Sequence, residues 1–227
     1  TAVFLLRERF TALDIAAIQT AITTLTPLHW GGALLATALS YWALGHYDVL
    51  IPRALGTGLP DGQAARAGAC AIALSQTLGF GLITGTLARW RMSAPLPLTE
   101  AARITAITAV SFLAGWAVLT AACLLLLPTT VPNATAWGAA GLGASALVAL
   151  ATIAQPHLRL RGQLLRLPSP QMMGRILTLV TLDTLAAAAA LALLLPASTA
   201  LPFAQLFPAF LLALGAGFIS GAPAGIG

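Results

Sequence analysis

Charge is scarce in this sequence. No lysine occurs in 227 residues, and only 7 % of positions are charged. A soluble domain carries about 25 % charged residues, so this chain could not cover a core of its own size with polar side chains. That excludes an ordinary water-soluble enzyme or binding module. With 59 % hydrophobic residues the chain reads as a polytopic membrane protein. Its net charge of +5 comes from 11 arginines. They fall in the gaps between apolar runs, so membrane orientation explains them better than nucleic-acid binding.

Cysteine is scarcer still. Cys70 and Cys123 each lie inside an apolar run, where both are expected as small buried hydrophobes with no redox role. No His, Cys, Asp and Glu set has metal-ligand spacing, and no cofactor is expected. Neither a Ser–His–Asp arrangement nor a carboxylate pair can be argued. A cleavable signal peptide is lacking as well. The chain opens at Thr1 and stops at Gly227 in mid-motif, so a fragment of a longer protein is expected.

What is present is a series of apolar runs: 28–47, 64–84, 103–127, 137–155, 175–196 and 203–221. Each is near the 20 or so residues a bilayer requires. Only helices satisfy their backbones there, so the expected class is an all-α transmembrane bundle of about six spans. Residues 1–27 mix Arg7, Glu8, Arg9 and Asp14 with apolar residues and are expected as an interfacial amphipathic helix ahead of a membrane domain over 28–227. Arg89 and Arg91 lie in the gap 85–102, and Arg159, Arg161 and Arg166 lie in 156–174. The gaps 128–136 and 197–202 are uncharged. Six alternating crossings then put the N-terminus, 85–102 and 156–174 in the cytoplasm, and 48–63, 128–136 and 197–202 outside. Arg53 is the exception in an outer loop. Thr99 is a candidate cap for the third helix, with Glu100 in its first turn.

Four places could carry chemistry. Gly79 to Arg91 reads GFGLITGTLARWR. Its glycine spacing and apolar setting do not fit a dinucleotide loop. Gly81 and Gly85 fit either close helix packing or a helix broken at membrane depth. Arg89 and Arg91 are either orientation anchors or a forked phosphate clamp. Asp183 lies inside an apolar run, where a carboxylate costs at least about 2.5–3.5 kcal/mol. It needs a structural ion pair, a wet cavity, a substrate or a proton. Asp48, beside His46 and Tyr47 where the first run gives out, caps a span at the outer interface or serves a substrate. Last, Gly217, Gly221 and Gly225 with Pro223 suit an unwound or re-entrant turn.

Together and in order, these motifs resemble the membrane part of the multiple peptide resistance factor family, the bifunctional aminoacyl-phosphatidylglycerol synthase/flippases. The resemblance is carried by ALSYWALGHYD (38–48), LSQTLGFGLITGTLARWR (74–91), TLDTLAAAAALALLLP (181–196) and FISGAPAGIG (218–227). Thr86 stands where the family usually has a second glycine, and Ala224 breaks its Pro-Gly-Gly. The resemblance implies a flippase portion in the bacterial cytoplasmic membrane, with no catalytic residue of its own. Its cargo would be aminoacylated phosphatidylglycerol, such as the lysyl lipid. A phosphatidylglycerol lysyltransferase-type domain, using aminoacyl-tRNA, would lie beyond the chain. Asp48 and Tyr47 would wait near the outer face, Asp183 at depth, and Arg89 and Arg91 at the inner mouth. Gly79, Gly81, Gly85, Pro223 and Gly225 would form hinges or turns. Export would weaken attack by cationic antimicrobial peptides. A homodimer is a further expectation. The rival functions are a small-solute or ion transporter, and a membrane anchor for a synthase in which Asp183 is an internal ion pair.

Overall fold

A computed structural model describes residues 22–94, 96–154, 157–160, 163–166, 168–196 and 201–220. The interfacial segment expected at the N-terminus lies almost wholly outside them, as do Pro223 and Gly225. Among the described residues seven helices follow in order: α1 Pro27–Leu55, α2 Asp61–Leu78, α3 Gly81–Met92, α4 Leu98–Leu126, α5 Ala134–Ala154, α6 Pro170–Leu194 and α7 Phe203–Ser220. Between α5 and α6 the strands β1 His157–Leu160 and β2 Gln163–Arg166 pair antiparallel, with His157 opposite Arg166. The class is all-α as expected, with this small hairpin added between α5 and α6.

Among the described residues three helices are long and apolar enough to cross a bilayer: α4, α5 and α6. α7 is a shorter apolar helix. Many large apolar side chains face outward, among them Leu34, Leu35, Val110, Trp137, Leu147 and Val148. An apolar exterior suits hydrocarbon solvent. Proline and small polar residues set the helix ends. Pro27 and Pro170 open α1 and α6, where a missing N–H costs nothing. Ser169 caps α6 by accepting from the Met172 N–H at 3.3 Å. Gly56 ends α1 at φ 67°, ψ 31°, a left-handed cap. Pro97, not Thr99, precedes α4, and Glu100 sits in its first turn as expected.

The second apolar run does not form one helix. It breaks at Gly79 (φ 75°, ψ −166°) and Phe80 (φ 50°, ψ 47°). The first of these conformations is essentially open to glycine alone. α2 and α3 then fold back on each other as a helical hairpin, about 27 and 18 Å long at 1.5 Å per residue. Side chains close the tip. Thr84 Oγ1 lies 3.0 Å from the Gly79 carbonyl and 3.2 Å from Ser75 Oγ. Ser75 Oγ lies 2.6 Å from the Ala71 carbonyl and 3.2 Å from that of Gly81. At the open end Gln63 Nε2 donates to the Met92 carbonyl at 3.1 Å. So the gap 48–63 and the start of the gap 85–102 lie at the same end of the molecule. This corrects the alternation expected from six crossings.

The remaining helices alternate. Gly32 on α1 packs on Leu193 of α6, and Gly138 on α5 packs on Ala121 and Leu125 of α4. A core of Tyr47, Ile51, Leu96, Ile104, Ile176 and Val180 joins α1, α4 and α6. A second, around Cys123, Ala188, Phe207 and Leu211, seats α7, and Trp116 Nε1 donates to the Leu211 carbonyl at 3.0 Å. Cys123 is buried as expected, but Cys70 is exposed. The arrangement gathers charge at one end. Arg53, Arg66, Arg89, Arg91, Arg103, Arg159, Arg166 and Arg175 all lie on the strands or on helix segments near that end. The described residues of the opposite end, at the start of α1 and around 127–133 and 195–203, have no charged side chain. Arg53 is therefore no exception.

A labelling experiment separates this fold from six alternating crossings. In a chain with Cys70 and Cys123 replaced by alanine, single cysteines at Ala54, Ala94 and Thr130 are reacted with an impermeant thiol reagent. Ala54 and Ala94 should label from one side of the membrane and Thr130 from the other. Labelling of Ala54 together with Thr130 would restore the alternating scheme.

Candidate functional site

Asp48 and Arg89 were expected near opposite faces of the membrane. The structure joins them. Arg89 Nε donates to Asp48 Oδ1 at 2.8 Å and Nη2 to Oδ2 at 2.9 Å, the forked geometry that suits guanidinium and carboxylate. Their side chains are 6 % and 2 % exposed. The hairpin explains the difference, because it returns α3 to the end where α1 finishes. Arg89 Nη1 also donates to Thr105 Oγ1 on α4 at 3.1 Å, and Thr105 Oγ1 donates to the Ala101 carbonyl at 2.8 Å. One guanidinium thus ties α3 to both α1 and α4.

Two glycines let the backbones close on this pair. A Cβ at Gly68 of α2 would overlap Cβ, Cγ and Oδ2 of Asp48. At Gly85 a Cβ would lie 3.2 Å from both Arg89 Nη1 and Ser75 Oγ. Gly85 thus takes the close-packing role, while the break falls at Gly79 and Phe80. Gly81 has only Ser75 nearby, at 3.7 Å. Gly68 was missed from the sequence: it stands alone in an Ala-rich stretch, and nothing local marks the partner it faces.

Arg91 does not join Arg89. Residues two apart on a helix do not share a face, and Arg91 is exposed with no polar partner among the described residues. The two arginines therefore do not converge on one phosphate. Tyr47 is buried in the core, and its hydroxyl lies near Ser111 without a hydrogen bond of good geometry.

Asp183 is a separate site. Eight residues along α1 from Asp48, or about 12 Å, Ser40 Oγ donates to Asp183 Oδ1 at 2.5 Å. Asp183 is 8 % exposed. No cation pairs with it among the described residues. Arg175, on the same helix, lies about 12 Å away along the axis. The structural ion pair left open by the sequence is thus formed by Asp48 and not by Asp183. No group of three or more His, Cys, Asp or Glu side chains that could hold a metal occurs among the described residues. Compared with models of known protein families and with curated proteins, the chain matches none.

Gly68→Ala tests the packing around the pair. The new methyl group must push α2 off Asp48, so the variant should lose roughly 1–3 kcal/mol, as overpacked cores do. Gly62→Ala, in the same helix with nothing within 4 Å of its Cβ, should be neutral or slightly stabilising. Melting in detergent checks this, and equal melting of the two variants would contradict it.

Proposed function

We propose that this chain is the membrane part of a lipid flippase that moves aminoacylated phosphatidylglycerol to the outer leaflet of a bacterial cytoplasmic membrane. The observation that carries the proposal is Asp183, a carboxylate buried inside an apolar helix with one hydroxyl donor and no cation among the described residues. A group so costly to bury needs a use. A cationic lipid head passing between α1 and α6 would supply the missing charge. A structural anchor would instead be expected to neutralise Asp183 internally, as Asp48 is neutralised by Arg89. The resemblance to the multiple peptide resistance factor family gives the proposal its cargo, and with it the reduced attack by cationic peptides.

In this proposal the roles divide. Asp48 and Arg89 hold the hairpin in place, and Tyr47 packs beside them. Arg91 keeps a free guanidinium at the charged end. That end faces the cytoplasm, so α1, α4, α5, α6 and α7 cross while α2 and α3 re-enter. Aminoacyl transfer from tRNA belongs to a separate domain. The broken hairpin, with Ser75 and Thr84 at its tip, favours one alternative, a small-solute transporter built on interrupted helices.

Asp183→Asn tests the proposal in cells that make lysyl-phosphatidylglycerol. The neutral amide is cheaper to bury, so insertion and melting should hold. Outer-leaflet lysyl-phosphatidylglycerol should fall about tenfold or more, in line with the ~1.5–3 kcal/mol of a charge-assisted contact. A stable variant that exports normally would overturn the role of Asp183. A variant that loses melting temperature would return Asp183 to a structural part.

A further inference from the structure

The hydroxyls buried between α1, α4 and α6 lead from the charged end towards Asp183. The first is Thr105 Oγ1 of α4, which accepts from Arg89 Nη1 beside Asp48. Thr108 and Ser111 follow on α4 at intervals of three residues, close to one turn each. Thr108 Oγ1 is buried and has no hydrogen-bond partner among the described residues. Ser111 Oγ donates to the Ile107 carbonyl. It also lies beside the Tyr47 hydroxyl, which is buried without a partner as well. Tyr47 packs in one cluster with Val180 of α6, three residues short of Asp183. Ser40, the donor to Asp183, is two turns from Tyr47 on the same face of α1. A buried hydroxyl left unbonded is costly, and two of them stand on the way to an unpaired carboxylate.

Little else around Asp183 carries charge or titrates. On α1, Tyr47 shares the Ser40 face, while Tyr41 and His46 are exposed and Asp48 is neutralised by Arg89. α4 has Cys123, clustered with Ala188, and α7 has no acid or base. Arg175 of α6 is exposed, about 12 Å away along the axis.

We propose that Asp183 is a proton-binding site, supplied from the charged end along Thr108, Ser111 and Tyr47. An ionised carboxylate with one neutral donor in an apolar interior is poorly solvated, and a proton removes its charge. Hydroxyls suit the path because each of them both accepts and donates. Ser40 Oγ donates to the ionised carboxyl and can rotate to accept from the protonated one, so one contact serves both states. A hard metal ion takes several oxygen ligands, and Asp183 has only Ser40 as a partner among the described residues. One part rests on the proposed function: a cationic head arriving at Asp183 displaces the proton, which leaves through the same hydroxyls to water at the charged end.

Infrared spectroscopy of the purified chain in detergent tests the site without cargo. At about pH 6, where an exposed aspartate is ionised, the native chain should show a protonated-carboxyl band that Asp183→Asn lacks and that is lost by about pH 9. On transfer to heavy water the band should shift. Tyr47→Phe removes an unbonded hydroxyl, so it should keep the band and slow that shift roughly tenfold or more. Thr108→Val should slow it as well, and Thr152→Val, exposed on α5, should not. Identical native and Asp183→Asn spectra at pH 6 would overturn the proton site, and so would loss of the band on adding sodium chloride at fixed pH. Native shift rates in both Tyr47→Phe and Thr108→Val would overturn the path. Lysyl-phosphatidylglycerol should abolish the band, and a band that persists with this lipid bound would overturn the exchange. Normal export by Asp183→Asn, with the native band present, would defeat the flippase reading and leave the proton site standing.

Discussion

One bidentate ion pair organises the charged half of the molecule. Asp48 and Arg89 are more than 90 % shielded, and neither charge could stay there alone. Removing one partner of such a pair typically costs about 3–5 kcal/mol, because the other is left buried and uncompensated. The pair therefore constrains everything that brings its ends together. α2 must stop at Gly79, α3 must return, and α2 must lie against α1 at a glycine. Thr105 of α4 then takes the remaining donor. The hairpin needs such a tie, because its tip presents Leu78, Phe80, Leu82 and Ile83 outward and offers little packing of its own.

Two buried carboxylates in one bundle meet different fates. Asp48 has two charge-assisted bonds from a guanidinium, and Asp183 has one from a hydroxyl. Coulomb attraction offsets desolvation for the first and leaves it largely unmet for the second. The contrast separates a carboxylate neutralised within the fold from one with no cation among the described residues. It also accounts for the arginines. Arg89 is consumed internally, while Arg91 and Arg175 remain for the outside.

Much of this was legible in the sequence. Composition led to a membrane protein, while α6 opens at Pro170, five residues ahead of the run expected to start at 175, because Ser169 and Pro170 were not read as a helix start. Asp183 drew notice because a single carboxylate inside an apolar run has a known cost. A break was one of two readings of Gly81 and Gly85, and it falls instead just before them, at Gly79 and Phe80. What escaped notice was long-range. Asp48 and Arg89 are 41 residues apart, and no local pattern links them. A run of 21 apolar residues reads the same whether it crosses or folds back, since the turn depends on two backbone conformations at Gly79 and Phe80. The fold-back made Arg53 look like an exception to the orientation rule. The strands at His157–Leu160 and Gln163–Arg166 were missed because each is too short to stand out from a loop.

A double-mutant cycle on Asp48→Asn and Arg89→Gln, read as unfolding free energy in detergent, measures the central interaction most directly. Each single change should destabilise by about 3–5 kcal/mol, and the double variant should recover much of that loss, giving a coupling of roughly 2 kcal/mol or more. Additive losses with no coupling would mean that the two side chains do not meet, and that α3 does not return to α1.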